Sequence, residues 1–365
     1  MLRPGQPAPW FTTGSPINPE FAFGSLGGQY ILLAFLPQDA AGHDEAVGLI
    51  RRHRALFNDS KVFAFGVLRD LDRIAGAQNE PGLRWFFDPS GEVSRKYYAL
   101  HESGEAHPHW VLIDPSLRIL AVGGMDESER IMKLVASLPD PDDHAGTPLH
   151  APVLIVPRIF EPELCARLIA FYEYQGGKPS GVMREVGGKT VPVMDSTKRR
   201  FDAMIEDGEF KALLRQRLQH RLLPEITKAF QFQPTRVERY MVARYDADGG
   251  GFFKPHRDNT TGGTAHRKFA CSINLNTAGH EGGDLRFPEF GSKTYRPPTG
   301  GAVVFSCSLL HEATPVTAGR RYCFLPFLYD EAGQQLREDH ARRMAALEAN
   351  GAEAGPPPTR ERQEA

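Results

Sequence analysis

The stretch Arg239-Tyr240-Met241-Val242-Ala243-Arg244-Tyr245, a break from Asp246 to Gly251, and then Phe252-Phe253-Lys254-Pro255-His256-Arg257-Asp258 decides how this chain is read. The first run alternates enough to form a strand, the glycine-rich break is a turn, and the second run enters another strand. A β-strand points residues i and i+2 to the same face, so His256 and Asp258 can grip one ion together. His311, from a distant strand, adds a second imidazole. Two imidazoles and one carboxylate on one face of a metal leave coordination positions open, a set that favours non-haem Fe(II). Further on, Arg321 offers a permanently charged, rigid fork suited to a carboxylate.

The segments around this pattern read as short strands between Gly/Pro turns. Phe269-Ala270-Cys271-Ser272-Ile273-Asn274-Leu275 alternates strictly, with Ala270, Ser272 and Asn274 on one face. Gly282 to Pro288 gives a strand after a tight turn, and Gly301 to Ser306 leads into His311. Pro315 and Gly319 then turn the chain into Arg321 to Phe327. Such a succession predicts a double-stranded β-helix, or jelly roll, with flanking helices over residues 153–330. Plain structural readings exist for each ligand candidate: His256 as a solvated turn residue, His311 as a strand cap partnered by Glu312. His266 and His280 lie in Gly-rich loops and read as solvated. The segments Lys178 to Lys189 and Asn259 to Arg267 read as loops framing an entrance.

Residues 153–330 resemble the 2-oxoglutarate/Fe(II) dioxygenases of the prolyl 4-hydroxylase-like group. The resemblance rests on Tyr245, the glycine turn, His256-x-Asp258-Asn259, Gly282-Gly283-Asp284-Leu285-x-Phe287-Pro288, and His311-Glu312-x-x-Pro315-Val316-x-x-Gly319-x-Arg321-Tyr322. It implies that His256, Asp258 and His311 hold Fe(II) and that Arg321 pairs with the distal carboxylate of 2-oxoglutarate. Arg321 is preferred over Arg320 because it directly precedes the aromatic, as in relatives. Tyr245 stands where the group has a tyrosine near the cosubstrate, and Asn274 falls near a cosubstrate-binding tyrosine of some relatives. The implied reaction consumes O2 and couples hydroxylation to decarboxylation of 2-oxoglutarate to succinate, with ascorbate supporting turnover. Related halogenases lack the carboxylate ligand, so Asp258 points to hydroxylation. The implied substrate is a prolyl-type residue in a peptide or protein, or a small amino-acid-like molecule. A silent two-module interaction protein is the alternative; the intact triad with Arg321 speaks against it.

Residues 1–138 have another rhythm. Tyr30 to Leu36, Lys61 to Leu68 and Trp110 to Ile113 are apolar strands. Helical segments are predicted from about Glu45 to Phe57 and from Asp126 to Leu138, giving an α/β thioredoxin-like domain. The segment Gly5-Gln6-Pro7-Ala8-Pro9-Trp10-Phe11, with Phe87-Asp88-Pro89-x-Gly91 and Val111-Leu112-Ile113-Asp114-Pro115, resembles peroxiredoxins. In that resemblance the peroxidatic cysteine position falls on Asp44 and its threonine on Ala41. The first cysteine is Cys165, so the domain lacks the thiolate that reduces peroxide and is read as redox-inactive.

The 365 residues suffice for two cores, with a Pro/Asp/Gly-rich linker at 139–152. A polar helix from Gln334 to Ala349 and a disordered Gly355 to Thr359 tail are expected within 331–365. A net charge of −2 gives no reason to expect nucleic acid or an anionic membrane as partner. No stretch is long enough to span a bilayer, and Met1-Leu2-Arg3-Pro4-Gly5 lacks a signal-peptide core. Four cysteines, three of them in expected strands, fit buried thiols in a reducing, cytoplasmic setting.

Overall fold

The computed structural model describes residues 2–353. The chain forms two compact units. One is built on Met1–Ala151 with the short segments Arg286–Thr294 and Leu310–Glu312; the other takes Pro152–Leu285, Tyr295–Leu309 and the chain from Ala313.

The first unit carries a seven-stranded sheet in the order Asn18–Ala22, Thr12–Ser15, Leu83–Phe87, Val62–Leu68, Tyr30–Phe35, His109–Ile113, Ile119–Gly124. Leu83–Phe87, Val62–Leu68 and Tyr30–Phe35 run parallel; His109–Ile113 is antiparallel to Tyr30–Phe35, and Ile119–Gly124 is antiparallel to His109–Ile113. Every residue of Tyr30–Phe35 is buried. Tyr30, Leu32 and Ala34 enter one core cluster, while Ile31, Leu33 and Phe35 enter another. Both sheet faces are therefore covered, which is why these strands read as continuous apolar runs. The first helix spans Ala40–Arg52, starting earlier than the apolar spacing suggests. The cap sets that start: Asp39 accepts a hydrogen bond from the Gly42 N–H at 2.8 Å. The closing helix spans Ser128–Ser137.

The second unit is a double-stranded β-helix with flanking helices. Its larger sheet runs Arg236–Glu238, Phe327–Tyr329, Phe269–Asn274, Val316–Phe324, Met241–Asp246, Phe201–Met204, Lys178–Pro179. A separate five-stranded sheet runs Lys198–Arg199, Phe252–His256, His311–Ala313, Leu285–Arg286, Thr294–Tyr295. Period-two alternation sorts the side chains of the larger sheet. Val242, Cys271, Ile273 and Phe324 pack with helix residues Leu168, Leu214, Leu218 and Ile226. Met241, Ala243, Tyr245 and Cys323 face the other way and pack with Phe253. The helices thus cover one face, and the opposite face belongs to the interior that holds the candidate site.

The structure corrects three sequence expectations here. The segment read as a loop from Lys178 to Lys189 contains a hairpin, Val182–Val186 paired with Lys189–Val193. It turns at Gly187 and Gly188, whose φ values of 57° and 76° suit a two-residue turn. The Gly-Gly pair between valine-bearing arms was a readable hairpin signal. His266 and His280 are buried, at 3% and 5% exposure, and not solvated. The C-terminal helix is longer than expected, Glu331–Glu353, and the Gly355 to Thr359 tail lies outside the described residues. Among the described residues no helix is long and apolar enough to cross a membrane.

Within the first unit, one buried carboxylate organises the turn after Leu83–Phe87. Asp88 is 2% exposed and accepts from the N–H groups of Val93 at 3.0 Å and Ser94 at 2.8 Å, and from Ser94 Oγ at 2.7 Å. Asp88→Ala would leave these donors unpaired and is expected to destabilise the unit by about 2–3 kcal/mol. All three tryptophans (Trp10, Trp85 and Trp110) lie in this unit, so urea unfolding followed by tryptophan fluorescence measures the loss directly. An unchanged midpoint would contradict the capping role.

Candidate active site

The strand Phe252–His256 and the residues just after it supply the first two ligand candidates. His256 Nδ1 lies 2.8 Å from the Lys254 carbonyl oxygen. Its proton sits best on Nδ1, leaving the Nε2 lone pair, 3.6 Å from Asp258 Oδ1, to face a cation. The Phe253 ring stacks on the imidazole with centroids 3.4 Å apart and limits its rotation. The Asp258 backbone is held at both ends: its N–H donates to the Cys307 carbonyl at 3.0 Å, and its carbonyl accepts from Arg267 Nη1 at 3.3 Å.

His311 opens the neighbouring strand of the smaller sheet and is 5% exposed. One ligand atom from each of His256, Asp258 and His311 lies within 4.8 Å of the others. Metal–ligand bonds of roughly 2.0–2.2 Å place such a set within reach of one ion after small side-chain rotations. The donors, two imidazoles and one carboxylate, fit a divalent iron and leave positions for other ligands.

Arg321 lies on the strand Val316–Phe324, opposite Tyr245 in the register. It is 2% exposed. Its Nη2 donates to Ser272 Oγ at 2.8 Å and to Asn274 Oδ1 at 3.3 Å, and its Cζ lies 5.3 Å from the Tyr245 ring centroid. Among the described residues no carboxylate pairs with this guanidinium. Gly283 makes room for it: at φ 71°, a Cβ there would stand 3.1 Å from Arg321 Cδ and 2.7 Å from Val316 Cγ2. Arg320 behaves oppositely, pairing at 3.4 Å with Asp246 from a largely exposed side chain. Asn274 accepts from Arg321 and donates to the Pro297 carbonyl at 3.4 Å, so it orients the guanidinium. Tyr245 is buried against the same group.

Sequence reading missed the support beneath these residues. Glu238 accepts from Arg267 Nε at 2.9 Å and Nη2 at 2.7 Å, and its Oε2 lies 2.7 Å from His266 Nε2. Against the desolvation that burial imposes, these hydrogen bonds hold the Glu238 carboxyl well below the usual carboxylate range. The ion-paired guanidinium is the one that reaches the Asp258 carbonyl. His280, buried beside Arg321, turns its Nδ1 to the Gly282 carbonyl at 3.0 Å. Burial, and the positive charge of Arg321, push its pKa down. Only the adjacency of Arg267 to the ligand strand was visible in the sequence; Glu238 is brought in by the fold.

The model of the 2OG-Fe(II) oxygenase superfamily matches residues 240–329. A PKHD-type hydroxylase of Shewanella baltica (strain OS155) is 27% identical over 169 residues, covering 43% of this chain and 70% of that protein. Among solved structures, a Pseudomonas putida prolyl-4-hydroxylase is similar over 52% of this chain and 95% of its own, with 19% identity and a TM-score of 0.37. The mitochondrial 2-Cys peroxiredoxin of Plasmodium falciparum is similar over 40% of this chain and 98% of its own, with 16% identity and a TM-score of 0.34.

Removing Glu238 would strand Arg267 and His266, whose side chains are 8% and 3% exposed. Glu238→Ala is expected to destabilise the second unit by about 3–5 kcal/mol, the cost of breaking a buried pair from one side. The sign of the pH dependence follows from the depressed carboxyl: its contribution is full above the ordinary carboxylate pKa and fades as pH falls through the acid range. Denaturation midpoints of wild type and Glu238→Gln should therefore differ most near neutrality and converge on acidification. A gap that widens in acid would contradict this assignment.

Proposed function

Because the chain carries a 2OG-Fe(II) oxygenase domain over residues 240–329, we propose that it is a 2-oxoglutarate-dependent hydroxylase acting on a prolyl-type residue or another amino-acid or peptide substrate. In this reading His256, Asp258 and His311 hold Fe(II), and Arg321 receives the distal carboxylate of 2-oxoglutarate. The bound metal and cosubstrate supply the oxidising chemistry, in which decarboxylation of 2-oxoglutarate to succinate is coupled to insertion of one atom of O2 into a substrate C–H bond.

The observation that carries the reading is Arg321. A guanidinium at 2% exposure whose hydrogen-bond partners, Ser272 and Asn274, are neutral is a charge waiting for a buried anion. A metal triad alone would suit many reactions; a triad with this anchor suits a cosubstrate that chelates metal at one end and presents a carboxylate at the other. The protein's own residues do the positioning. The Lys254 carbonyl fixes the His256 tautomer, Arg267 fixes the backbone of Asp258, and the Tyr245 ring closes the space over the guanidinium against water. Asn274 and Ser272 aim the guanidinium fork, which makes Asn274 a positioning residue for the cosubstrate.

The basic test is conversion of 2-oxoglutarate to succinate with Fe(II) and ascorbate, and the absorbance that 2-oxoglutarate induces on the Fe(II) protein without oxygen. Failure to bind either would overturn the proposal. Arg321→Ala tests the anchor: losing one partner of a buried charge pair costs about 2–5 kcal/mol, roughly 30- to several thousand-fold in affinity. The 2-oxoglutarate requirement should rise by that factor while Fe(II) binding stays close to wild type. Arg320→Ala, whose partner Asp246 lies on the other side of the strand, should change it little. An exchange of the two behaviours would move the anchor to Arg320.

A further inference from the structure

Four basic side chains of the second unit, Lys198, Arg200, Arg239 and Arg267, act on one another electrostatically, and two of them are gripped by carboxylates in hydrogen-bond contact. Arg200 grips Asp202 with two hydrogen bonds of 2.7 Å. Arg267 grips Glu238 through Nε at 2.9 Å and Nη2 at 2.7 Å. Among the described residues no carboxylate lies in hydrogen-bond contact with Lys198 or Arg239, and Asp202 and Glu238 act on them only at longer range.

Lys198 lies opposite Phe253 in the pairing of its short strand with Phe252–His256. Its ammonium is 4.8 Å from the Phe253 ring centroid, and that ring stacks on His256. A single aromatic ring thus separates this cation from an imidazole of the triad. Lys198 Nζ donates to Ser180 Oγ at 2.7 Å and to the Gly181 carbonyl at 2.8 Å, both neutral acceptors. Burial, and the Arg200 guanidinium beside it, push the ammonium down to about 6. That is the response of a cation without a compensating carboxylate in contact.

Arg239 follows the strand Arg236–Glu238 with φ 65°, a left-handed conformation that is costly for a residue carrying a Cβ. Its guanidinium lies 4.2 Å from the Phe327 ring centroid, and its Nε has no hydrogen-bond partner. Lys198 and Arg239 act on each other, and each is drawn by the Asp258 carboxylate after its stronger neighbour, Asp202 for Lys198 and Glu238 for Arg239.

Charge balance then points to what they receive. With a divalent ion in the triad, the Asp258 charge is taken up by the metal. The remaining metal charge and Arg321 match the two carboxylates of 2-oxoglutarate. Arg239 is left as a cation in partly buried surroundings, where an uncompensated charge is costly, and Lys198, pushed down to about 6, takes up a proton when an anion arrives beside it.

We propose that the primary substrate carries a carboxylate that Lys198 and Arg239 receive, so that the hydroxylated position lies beside an acidic group. This inference rests on the oxygenase reading and narrows its substrate class. An aspartyl or glutamyl side chain flanking the target in a peptide, and the α-carboxylate of a free amino acid, present the same chemistry. The rings of Phe253 and Phe327 hold both side chains in place before the substrate arrives, and favour the charged form of each.

The test uses the full chain with Fe(II) and 2-oxoglutarate in the absence of oxygen. Two matched probe pairs are titrated calorimetrically: capped proline-centred nonapeptides flanked by Glu or by Gln, and free L-proline against L-prolinamide. A preference of about tenfold or more for the carboxylate member of either pair is expected for a partly buried charge pair. Preference in the peptide pair assigns an acidic peptide, and preference in the amino-acid pair assigns the α-carboxylate. Lys198→Gln and Arg239→Gln, made singly, should each reduce that preference several-fold, and if one variant fails to fold the other decides. Equal binding within both pairs, or no binding by any probe, overturns the inference. The Fe(II)–2-oxoglutarate absorbance of the wild-type protein keeps the two proposals apart: without that band the oxygenase reading falls, and with it the inference falls alone.

Discussion

Burying a guanidinium without a carboxylate is the constraint around which the barrel interior is arranged. Arg321 reaches its position because Gly283 has no Cβ to block its stem, and Ser272 and Asn274 offer neutral dipoles to its fork. Dipoles of this kind soften the desolvation of a cation but do not match its charge, so the site retains an appetite for an anion. The same demand dictates the sequence pattern. A strand that must present Ser272 and Asn274 inward and Cys271 and Ile273 to the helix-covered core has to alternate, and it does.

A second layer holds the ligand strand in place. Glu238 sits on the strand Arg236–Glu238, distant in sequence from Asp258, yet it fixes Arg267, and Arg267 fixes the Asp258 carbonyl. The carboxylate of Asp258 therefore inherits its orientation from an ion pair that never touches the metal position. Such outer contacts matter because a ligand set misplaced by an ångström loses much of its value. The stacking of Phe253 on His256 does comparable work for the imidazole, and it ties that imidazole to the cation above the ring.

Much of this was legible in the sequence, and the boundary of legibility has a physical cause. Strand periodicity and the i, i+2 geometry of His256 and Asp258 are local, so they survive in a string of letters. The opposite facing of Arg320 and Arg321 follows from the same alternation and needs only the register. Glu238, Lys198 and Arg239 were not readable, because nothing local distinguishes them from solvated charges until the sheet brings them near Asp258. His266 and His280 were misread for the same reason: Gly-rich flanks suggest solvent, but the fold closes over both rings. The hairpin through Gly187 and Gly188 is readable from turn chemistry, although charged residues such as Arg184, Glu185 and Lys189 in its arms blur the strand pattern.

In the first unit, packing and not a reactive group holds the fold. Its central strands are buried on both faces, so its stability comes from two apolar clusters and owes nothing to a nucleophile. Asp44 occupies the place where the resembling family has its reactive thiol, and its side chain is 82% exposed on the helix Ala40–Arg52. At that exposure the Asp44 carboxylate buries no charge and takes no part in the packing that defines the sheet. The chain's four thiols, all buried, stand in the other unit. Desolvation pushes Cys165 up to about 11 and raises the other three, which keeps all of them protonated and unreactive at neutral pH.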